Sequence, residues 1–484
     1  MKSWRAWPGL VLATGLVFPA ACGEVVAQPI GASPSDGGLA SDVATDQATT
    51  DAPAGDGTFP IDAPADSPAG FCQGHGPVML PGTDLCAGDL ANLFRFAACA
   101  CTSFDVSGVL TTDSLDSAAD AGDTQVASVA ANQELSANST TTIGGSVWAG
   151  GVGLAQGAPA VLLSGAGPGL VAHDVQSGGP VEIGGPYEVQ GDVWAKGNVT
   201  IDASGSLKVD GTVHIPLGDT ATGVTATGGI AMTTVSVPPP CDCTSPIGIS
   251  GIVAAYKSPT LNDNASINLQ TTALDNPSTP VTLPCGLFYV DGIHGGSVSI
   301  DVTSRVALFV DGDLAVDQGI VIKLEPGSEL DLFVAGNVNI GGPSGSVQIG
   351  DVGQPAQTRI YIAGSGNDAG GGFALSADAT ISANIYAPNA VVELASNFVL
   401  RGALFAQALQ FSGDFAIHYD TAVLQVSQTS GCLPPSGSCS TCNDCSGATP
   451  ACNGSKCVPC VTTSDCCAPL ACDTNSGRCI LPTQ

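Results

Sequence analysis

A short alternation of polar and apolar positions recurs between glycines along much of the chain. The unit is a glycine, a polar residue, an apolar residue, any residue, a second apolar residue and another glycine. It occurs as GSVWAGG (145–151), GPVEIGG (179–185), GDVWAKG (191–197), GTVHIPLG (211–218), GDLAVDQG (312–319), GNVNIGG (336–342) and GSVQIG (345–350). Alternation with period two places the apolar side chains on one face of a strand. The pattern predicts short β-strands joined by glycine turns.

A longer repeat suggests how these strands are arranged. LFVDGDL (308–314) matches LFVAGNV (332–338), 24 residues further on, and FYVDG (288–292) lies 20 residues before the first copy. Repeats of this length, with one or more short strands each, are typical of a parallel β-solenoid, in which each coil buries its inward residues on its neighbours. We therefore expect an all-β, glycine-rich solenoid over residues 140–425, with on the order of 14 coils and a length of about 65 Å. A β-sandwich is the alternative, because its turn spacing also fits parts of this segment.

The net charge of the chain excludes one class of binding partner. The chain has 484 residues and a net charge of −31, with only 12 Lys and Arg residues. A chain this acidic should be repelled by nucleic acid and by anionic lipid surfaces. We therefore expect no nucleic-acid partner.

The first residues have the features of an export signal. Lys2 and Arg5 are followed by the short apolar run Leu10–Phe18 and then by small residues and Cys22. This arrangement predicts a signal peptide over residues 1–21, and the apolar run is too short to span a bilayer. The cysteine at the cleavage point resembles a bacterial lipobox, which implies that Cys22 is lipidated and becomes the new N-terminus. Ordinary secretory cleavage is the alternative.

The segment after Cys22 is predicted to be a linker. Residues 23–70 consist mainly of Ala, Asp, Pro, Gly, Ser and Thr, with no Lys or Arg. Such a composition cannot bury enough apolar area to fold. We expect residues 22–70 to tether the folded part to a membrane through the lipid, at the outer membrane or cell surface, and a secreted protein is the alternative.

The cysteines divide into three blocks and indicate an oxidising compartment. The candidates for disulfides are Cys72, Cys86, Cys99 and Cys101; Cys241, Cys243 and Cys285; and Cys439, Cys442, Cys445, Cys452, Cys457, Cys460, Cys466, Cys467, Cys472 and Cys479, preceded by Cys432. The first block predicts a stapled cap over 71–139, and the last predicts a disulfide-rich domain over 432–484, with zinc as the weaker alternative. Because the second and third blocks are odd in number, we expect Cys432 to pair with Cys241, Cys243 or Cys285.

Residue types that perform chemistry are sparse. His75, His173, His214, His294 and His418 show no metal-ligand spacing, and the chain contains no HExxH, GxSxG or P-loop motif. We therefore predict no catalytic residues and no cofactor. Asp291, Asp311 and Asp313 lie in turns of the best repeats and are weak candidates for a calcium site, although Asp in such corners more often serves only to form the turn.

Several motifs carry a family resemblance. They are YVDG (289–292), LFVDGDL (308–314), LFVAGNV (332–338), IYIAG (360–364), IYAPNA (385–390), GALFA (402–406) and HYD (418–420). With them, the stretch from Phe288 to Asp420 resembles an uncharacterised β-rich domain of bacterial cell-surface and pilus-associated proteins. Residues 99–116 look like a companion region in lipoproteins of gliding, social Gram-negative bacteria. The Gly-Val coils are similar to those of bactofilins, which are β-helical scaffold proteins.

Two functions from different classes follow. The first is a non-catalytic surface lipoprotein with a structural, scaffolding or adhesive role, and its partners would be surface proteins or extracellular polysaccharide. The second is a carbohydrate-binding or carbohydrate-active protein on the same β-helix scaffold. Acidic residues aligned in a groove would favour the second function, whereas a smooth and neutral rod would favour the first.

Overall fold

The computed structural model describes residues 71–72, 76–78, 93–117, 127–244, 246–343, 345–366 and 372–424, together with short strands between 451 and 480. Within these residues, no helix is both long and apolar enough to cross a membrane. Nearly all of the regular structure is β, and every strand pair of the main stack is parallel. The prediction of an all-β parallel solenoid is confirmed.

Each coil contributes strands to three faces, which we number in the order in which the chain visits them. In stacking order, the first face contains β20 (Gly286–Val290), β23 (Arg305–Val310), β26 (Glu329–Val334), β29 (Thr358–Ile362), β32 (Asn384–Leu394), β34 (Leu404–Phe411), β1 (Ala98–Ala100), β4 (Val129–Ala131), β7 (Val147–Ala149), β10 (Val175–Ser177), β13 (Val193–Ala195), β16 (Val213–Ile215) and β18 (Ile230–Met232). The second face contains β21 (Ile293–Gly295), β24 (Leu314–Val316), β27 (Val338–Ile340), β30 (Phe373–Leu375), the C-terminal parts of β32 and β34, β2 (Phe104–Val106), β5 (Leu135–Ala137), β8 (Val161–Leu163), β11 (Val181–Ile183) and β14 (Val199–Ile201). The third face contains β19 (Val281–Leu283), β22 (Val298–Val302), β25 (Ile320–Leu324), β28 (Val347–Ile349), β31 (Ala379–Ser382), β33 (Phe398–Arg401), β35 (Phe415–Asp420), β3 (Leu110–Leu115), β6 (Thr141–Ile143), β9 (Gly169–Val171), β12 (Pro186–Val189), β15 (Ser206–Val209) and β17 (Val224–Ala226).

The coils do not follow one another along the rod in chain order. The chain enters the solenoid in the middle, at β1, and coils outward as far as β18. A crossover over residues 233–280 then returns along the molecule to the opposite end, where β19 begins. From there the chain coils back to the middle, so that β34 pairs with β1 and β2 and β35 pairs with β3. The first and last coils therefore meet at a seam in the centre of the rod.

The crossover contains the helix α1 (Ile249–Tyr256) and a 3-10 turn at Asn264–Ser266. The buried residues of α1 recur at helical spacing, namely Ile249, Ile252, Val253 and Tyr256, which gives the helix one apolar face toward the coils. A second 3-10 turn spans Pro355–Gln357. Beyond the solenoid, the described strands form two antiparallel hairpins, β36 (Ala451–Asn453) with β37 (Lys456–Val458) and β38 (Ala471–Asp473) with β39 (Arg478–Ile480).

Turn carboxylates connect one coil to the next at a corner of the rod. Asp174 Oδ1 accepts a hydrogen bond from the backbone N–H of Asp192 at 2.7 Å, and Asp192 Oδ1 accepts one from Thr212 N–H at 2.6 Å. On the other side of the seam, Asp313 Oδ1 accepts from Asn337 N–H at 2.7 Å. These Asp side chains thus satisfy backbone donors that the turns would otherwise leave unpaired.

Two expectations about domain organisation need correction. The solenoid begins at Ala98, inside the span 71–139 that we expected to form a separate cap, because β1 to β5 stack in the same sheets as the later coils. The span 140–425 is also not one uninterrupted solenoid, because the crossover divides it.

The expected bridge from Cys432 to the middle cysteines is wrong. All three middle cysteines pair with the first block instead, as Cys72–Cys285, Cys99–Cys241 and Cys101–Cys243. The physical reason is the seam and the crossover, which bring residues 99–101 and 241–243 together although 142 residues separate each pair in sequence. Cys432 lies outside the described residues.

Candidate functional site

The outward side of the first face carries an aromatic ladder. Strand register aligns Tyr289, Phe309, Phe333, Tyr361, Tyr386 and Phe405 in successive coils. Phe333 and Tyr361 stack with ring centroids 4.5 Å apart, and Tyr256 of α1 stacks on Phe309 at 3.8 Å. The ladder is buried, because the crossover lies over it. Its function is therefore to hold the crossover rather than to offer rings to a ligand.

A buried ion cluster lies beside this ladder. Arg359 donates from Nε to Asp331 Oδ1 at 2.5 Å and from a terminal nitrogen to Glu329 Oε2 at 3.0 Å. Burial would lower the pKa of Arg359, but the two carboxylates raise it by more, so the guanidinium stays charged. Burial likewise acts to raise the pKa of Glu329, but the charges of Arg359 and Arg305, together with hydrogen bonds from Arg359 and the Gly76 N–H, outweigh burial and leave the pKa below its usual value.

The carboxylates of this cluster also bind a segment from far away in sequence. Glu329 Oε2 accepts from Gly76 N–H at 2.8 Å, and Asp331 Oδ2 accepts from Val78 N–H at 3.1 Å. Arg305, the coil neighbour of Glu329, donates to the carbonyl of Phe71 at 2.7 Å, with its guanidinium 4.1 Å from the Phe71 ring centroid. The cluster therefore holds the described residues of the N-terminal segment 71–78, which are 71–72 and 76–78, on the rod, together with the Cys72–Cys285 bridge.

An open groove lies on the second face at the seam. It has a volume of about 360 Å³, and its lining includes Asp105, Ser107, Glu393, Gln410 and Ser412. Register places Gln410 directly between Glu393 and Asp105 in three successive strands. Two carboxylates thus flank one amide along a row with a coil spacing of about 4.8 Å. The volume of the groove falls within the range of small-molecule binding sites.

The histidines of the described residues do not form a shared metal-binding cluster. His418 Nδ1 lies 2.7 Å from Asp113 Oδ1 on the third face, across the seam. His214 lies on the first face, stacked on Trp194 with a centroid distance of 3.6 Å and 3.4 Å from a carboxylate oxygen of Asp192. Within the described residues, no group of three or more His, Cys, Asp or Glu side chains could hold a metal ion. His75 lies outside them.

The three calcium candidates each contact protein groups separately. Asp311 Oδ2 accepts from the Tyr289 hydroxyl at 2.7 Å and from Lys257 Nζ at 2.9 Å. Asp291 Oδ2 accepts from Thr271 Oγ1 at 2.5 Å, and Asp313 accepts from the next coil as described above. Hydrogen bonds from the Tyr289 hydroxyl and Lys257 lower the pKa of Asp311, while burial raises the pKa of Tyr289 to about 12. These contacts assign the candidates to the crossover and the corners of the rod.

Sequence reasoning did not identify the ion cluster or the groove. A signal for the cluster was present, because Glu329 and Asp331 interrupt the apolar strand ELDLFV and Arg359 interrupts TRIYI. Charges inside strands that are otherwise apolar are seldom buried unless they are paired. The groove has no comparable signal, since Asp105 and Gln410 are 305 residues apart in sequence and meet only at the seam.

The comparisons with known proteins concern the second half of the solenoid. Residues 245–426 match the family model DUF7305, a domain of unknown function. This stretch includes α1, most of the crossover and the coils from β19 to β35. The comparison with curated proteins found no match, and neither did the comparison with solved structures. The region of the notable motifs between 288 and 420 thus lies within a family domain that carries no assigned activity.

Proposed function

We propose that this chain is an exported, non-catalytic protein of the bacterial surface with a structural, scaffolding or adhesive role. One observation carries the proposal. The buried charged groups of Arg359, Asp331 and Glu329 are committed to holding segment 71–78 on the coils. Charge that is fully hydrogen-bonded inside a fold is not free to act on a substrate.

The disulfide bridges support a role outside the cytoplasm. The three long-range bridges indicate an oxidising environment. We further propose that the mature chain begins at a lipidated Cys22 and is held at the outer membrane or cell surface by that lipid and the acidic linker 22–70.

The anchor can be tested by fractionating cells that express the full chain. Wild type is expected with the membranes, and Cys22→Ser is expected to release the protein, because a single cysteine carries the lipid. Ser35→Ala in the linker is a control that should leave the protein with the membranes. Mass spectrometry that finds an unmodified N-terminus elsewhere would contradict the proposal.

A carbohydrate-binding role is the second candidate, and the groove favours it. Glu393, Gln410 and Asp105 offer acceptors and an amide donor in one row, which suits the hydroxyl groups of an extended polysaccharide. The double variant Asp105→Asn/Glu393→Gln is expected to weaken binding to a glycan array. Glu182→Gln is the matched control, because Glu182 lies on the same outward row three coils away.

One complementation experiment separates the two candidates. In a strain of the source bacterium that lacks the chain, wild type should restore attachment between cells or to a surface. If the groove variant restores attachment equally, the structural role stands without the groove. If the groove variant fails while Glu182→Gln succeeds, sugar recognition is the function. Release of sugar fragments by wild type alone would overturn the non-catalytic proposal.

A further inference from the structure

One end of the solenoid leaves its core uncovered. Strand β18 pairs only with β16, and β17 is the last strand of its face. Register places Ile230 and Met232 over Val213 and Ile215, which are core residues with no exposed surface. Ile230 and Met232 are nevertheless 46% and 54% exposed, and the adjoining Leu217 is 90% exposed. The terminal coil therefore keeps core-type side chains where no described coil covers them.

The opposite end is capped. Residues 261–276 of the crossover lie across the free edge of β20 and β21. Asn264 donates from Nδ2 to the Tyr289 carbonyl at 2.6 Å and accepts from Tyr289 N–H at 2.9 Å. Further along, His294 N–H donates to the Leu274 carbonyl at 3.0 Å, and the Leu274 side chain is fully buried. Backbone groups and core are thus covered here, as a solenoid terminus requires.

The open end also carries little charge. Asp219 is the only acidic or basic residue, histidine aside, between Gly211 and Pro240, although the whole chain carries a net charge of −31. Two molecules with this charge repel each other on most approaches. An apolar end with little charge and unpaired strand edges is a surface on which that repulsion is weak and contact buries apolar side chains.

We propose that two copies of the chain join end to end through the terminal coil formed by β16, β17 and β18. The contact is isologous, because the same coil is open in both copies, and it closes on itself as a two-fold dimer. It does not extend into a filament, because residues 261–276 cover the other end. The cross-section of one coil offers only a few hundred Å² per partner, at the low end for specific interfaces, so we expect a dissociation constant in the micromolar range.

Sedimentation of the purified full chain tests the proposal. Between about 1 and 200 μM, wild type is expected to shift from monomer to dimer and no further. Electron micrographs of the dimer should show rods of about 120 Å, twice the roughly 60 Å of 13 stacked strands. The double variant Ile230→Asp/Met232→Asp should raise the dissociation constant at least roughly tenfold, because it places carboxylates in the contact.

Val352→Asp is the matched control, because Val352 is 51% exposed in a turn far from the open end. It should leave the dimer intact. Circular dichroism and thermal unfolding should show that both variants stay folded, as expected for positions outside the closed core. The proposal is overturned if wild type remains monomeric throughout the range, if it forms higher oligomers, if the rods are side by side, or if only the control dissociates. Binding of another protein at this end without self-association would also overturn it.

Discussion

Arg359 is the largest fully buried side chain among the residues that the structure describes, and it shows how single residues hold distant segments. Its guanidinium neutralises two carboxylates whose remaining acceptor sites bind the backbone of segment 71–78. Neither Glu329 nor Asp331 could be buried without it, since an uncompensated charge in the interior costs several kcal/mol. Substitutions of Arg359, Asp331 and Glu329 are therefore expected to have non-additive effects on the free energy of unfolding.

Replacement of Arg359 by Met should lower the free energy of unfolding by about 3–5 kcal/mol, because two carboxylates lose their counter-charge. Adding Asp331→Asn and Glu329→Gln should recover part of that loss. The measurement is urea-induced unfolding at neutral pH, with the exposed Lys323→Met as a control expected to change stability by less than about 0.5 kcal/mol. An Arg359→Met variant as stable as the wild type would show that the cluster contributes nothing.

Asp311 should make stability depend on pH. Hydrogen bonds from Tyr289 and Lys257 lower its pKa in the folded state, so its contribution is fully present above the unfolded value of about 3.9 and is lost as the pH falls through the lower folded pKa. The stability gap between wild type and Asp311→Asn should be constant from about pH 7 to 5 and shrink below about pH 4. Lys257→Met should reduce this dependence, and a gap that persists unchanged to pH 2 would contradict the assignment.

At the scale of elements, the crossover is the part that the solenoid must hold in place. The aromatic ladder gives it an apolar surface, and the Ile247 N–H donates to the Tyr386 hydroxyl at 3.2 Å. The Cys99–Cys241 and Cys101–Cys243 bridges fasten its first part to the coil next to the seam. Because the two bridges close nearly the same loop, their contributions to the free energy of unfolding should not be additive.

Removal of one of these two bridges should be far less costly than removal of both. The first bridge to form closes a loop of 142 residues, which the chain-entropy model values at about 5 kcal/mol, whereas the second then closes only a few residues and contributes about 2 kcal/mol. Cys99→Ser/Cys241→Ser and Cys101→Ser/Cys243→Ser should each cost about 2 kcal/mol, and the quadruple variant about 7 kcal/mol. Denaturant unfolding of the three variants measures this, and simple additivity would refute the shared loop.

At the scale of the whole molecule, the number of cysteines outside the three described bridges predicts one further pairing. They use six of the 19, and setting Cys22 aside as the lipidated residue leaves 12, which are Cys86 and the eleven from Cys432 onward. Eleven cysteines cannot all pair among themselves. If oxidation is complete, Cys86 should therefore form a bridge to the C-terminal module.

Peptide mapping of the full chain under non-reducing conditions tests this pairing. A peptide that contains Cys86 should be linked to one from the region beyond Cys432, and reduction should release both. Cys86→Ser should leave exactly one free thiol in that region by thiol titration. A free Cys86 in the wild type would contradict the prediction.

The sequence by itself determined the local architecture and indicated an oxidising environment. Period-two alternation between glycines is enough to specify short strands with one buried side, because each coil repeats the same local geometry. The density of cysteines indicated disulfides, because few apolar residues lie between the cysteines to form a core in place of the bridges.

Only the tertiary structure decided the order in which the coils stack. Parallel coils of similar sequence pair equally well with several neighbours, so nothing local indicates that β1 meets β34 or that residues 233–280 leave the stack. The groove at Asp105 and Glu393, the Arg359 cluster and the true partners of Cys241, Cys243 and Cys285 all depend on that order. Each joins residues that are far apart in the chain, and such contacts are specified by long-range packing, which a repeating local pattern does not encode.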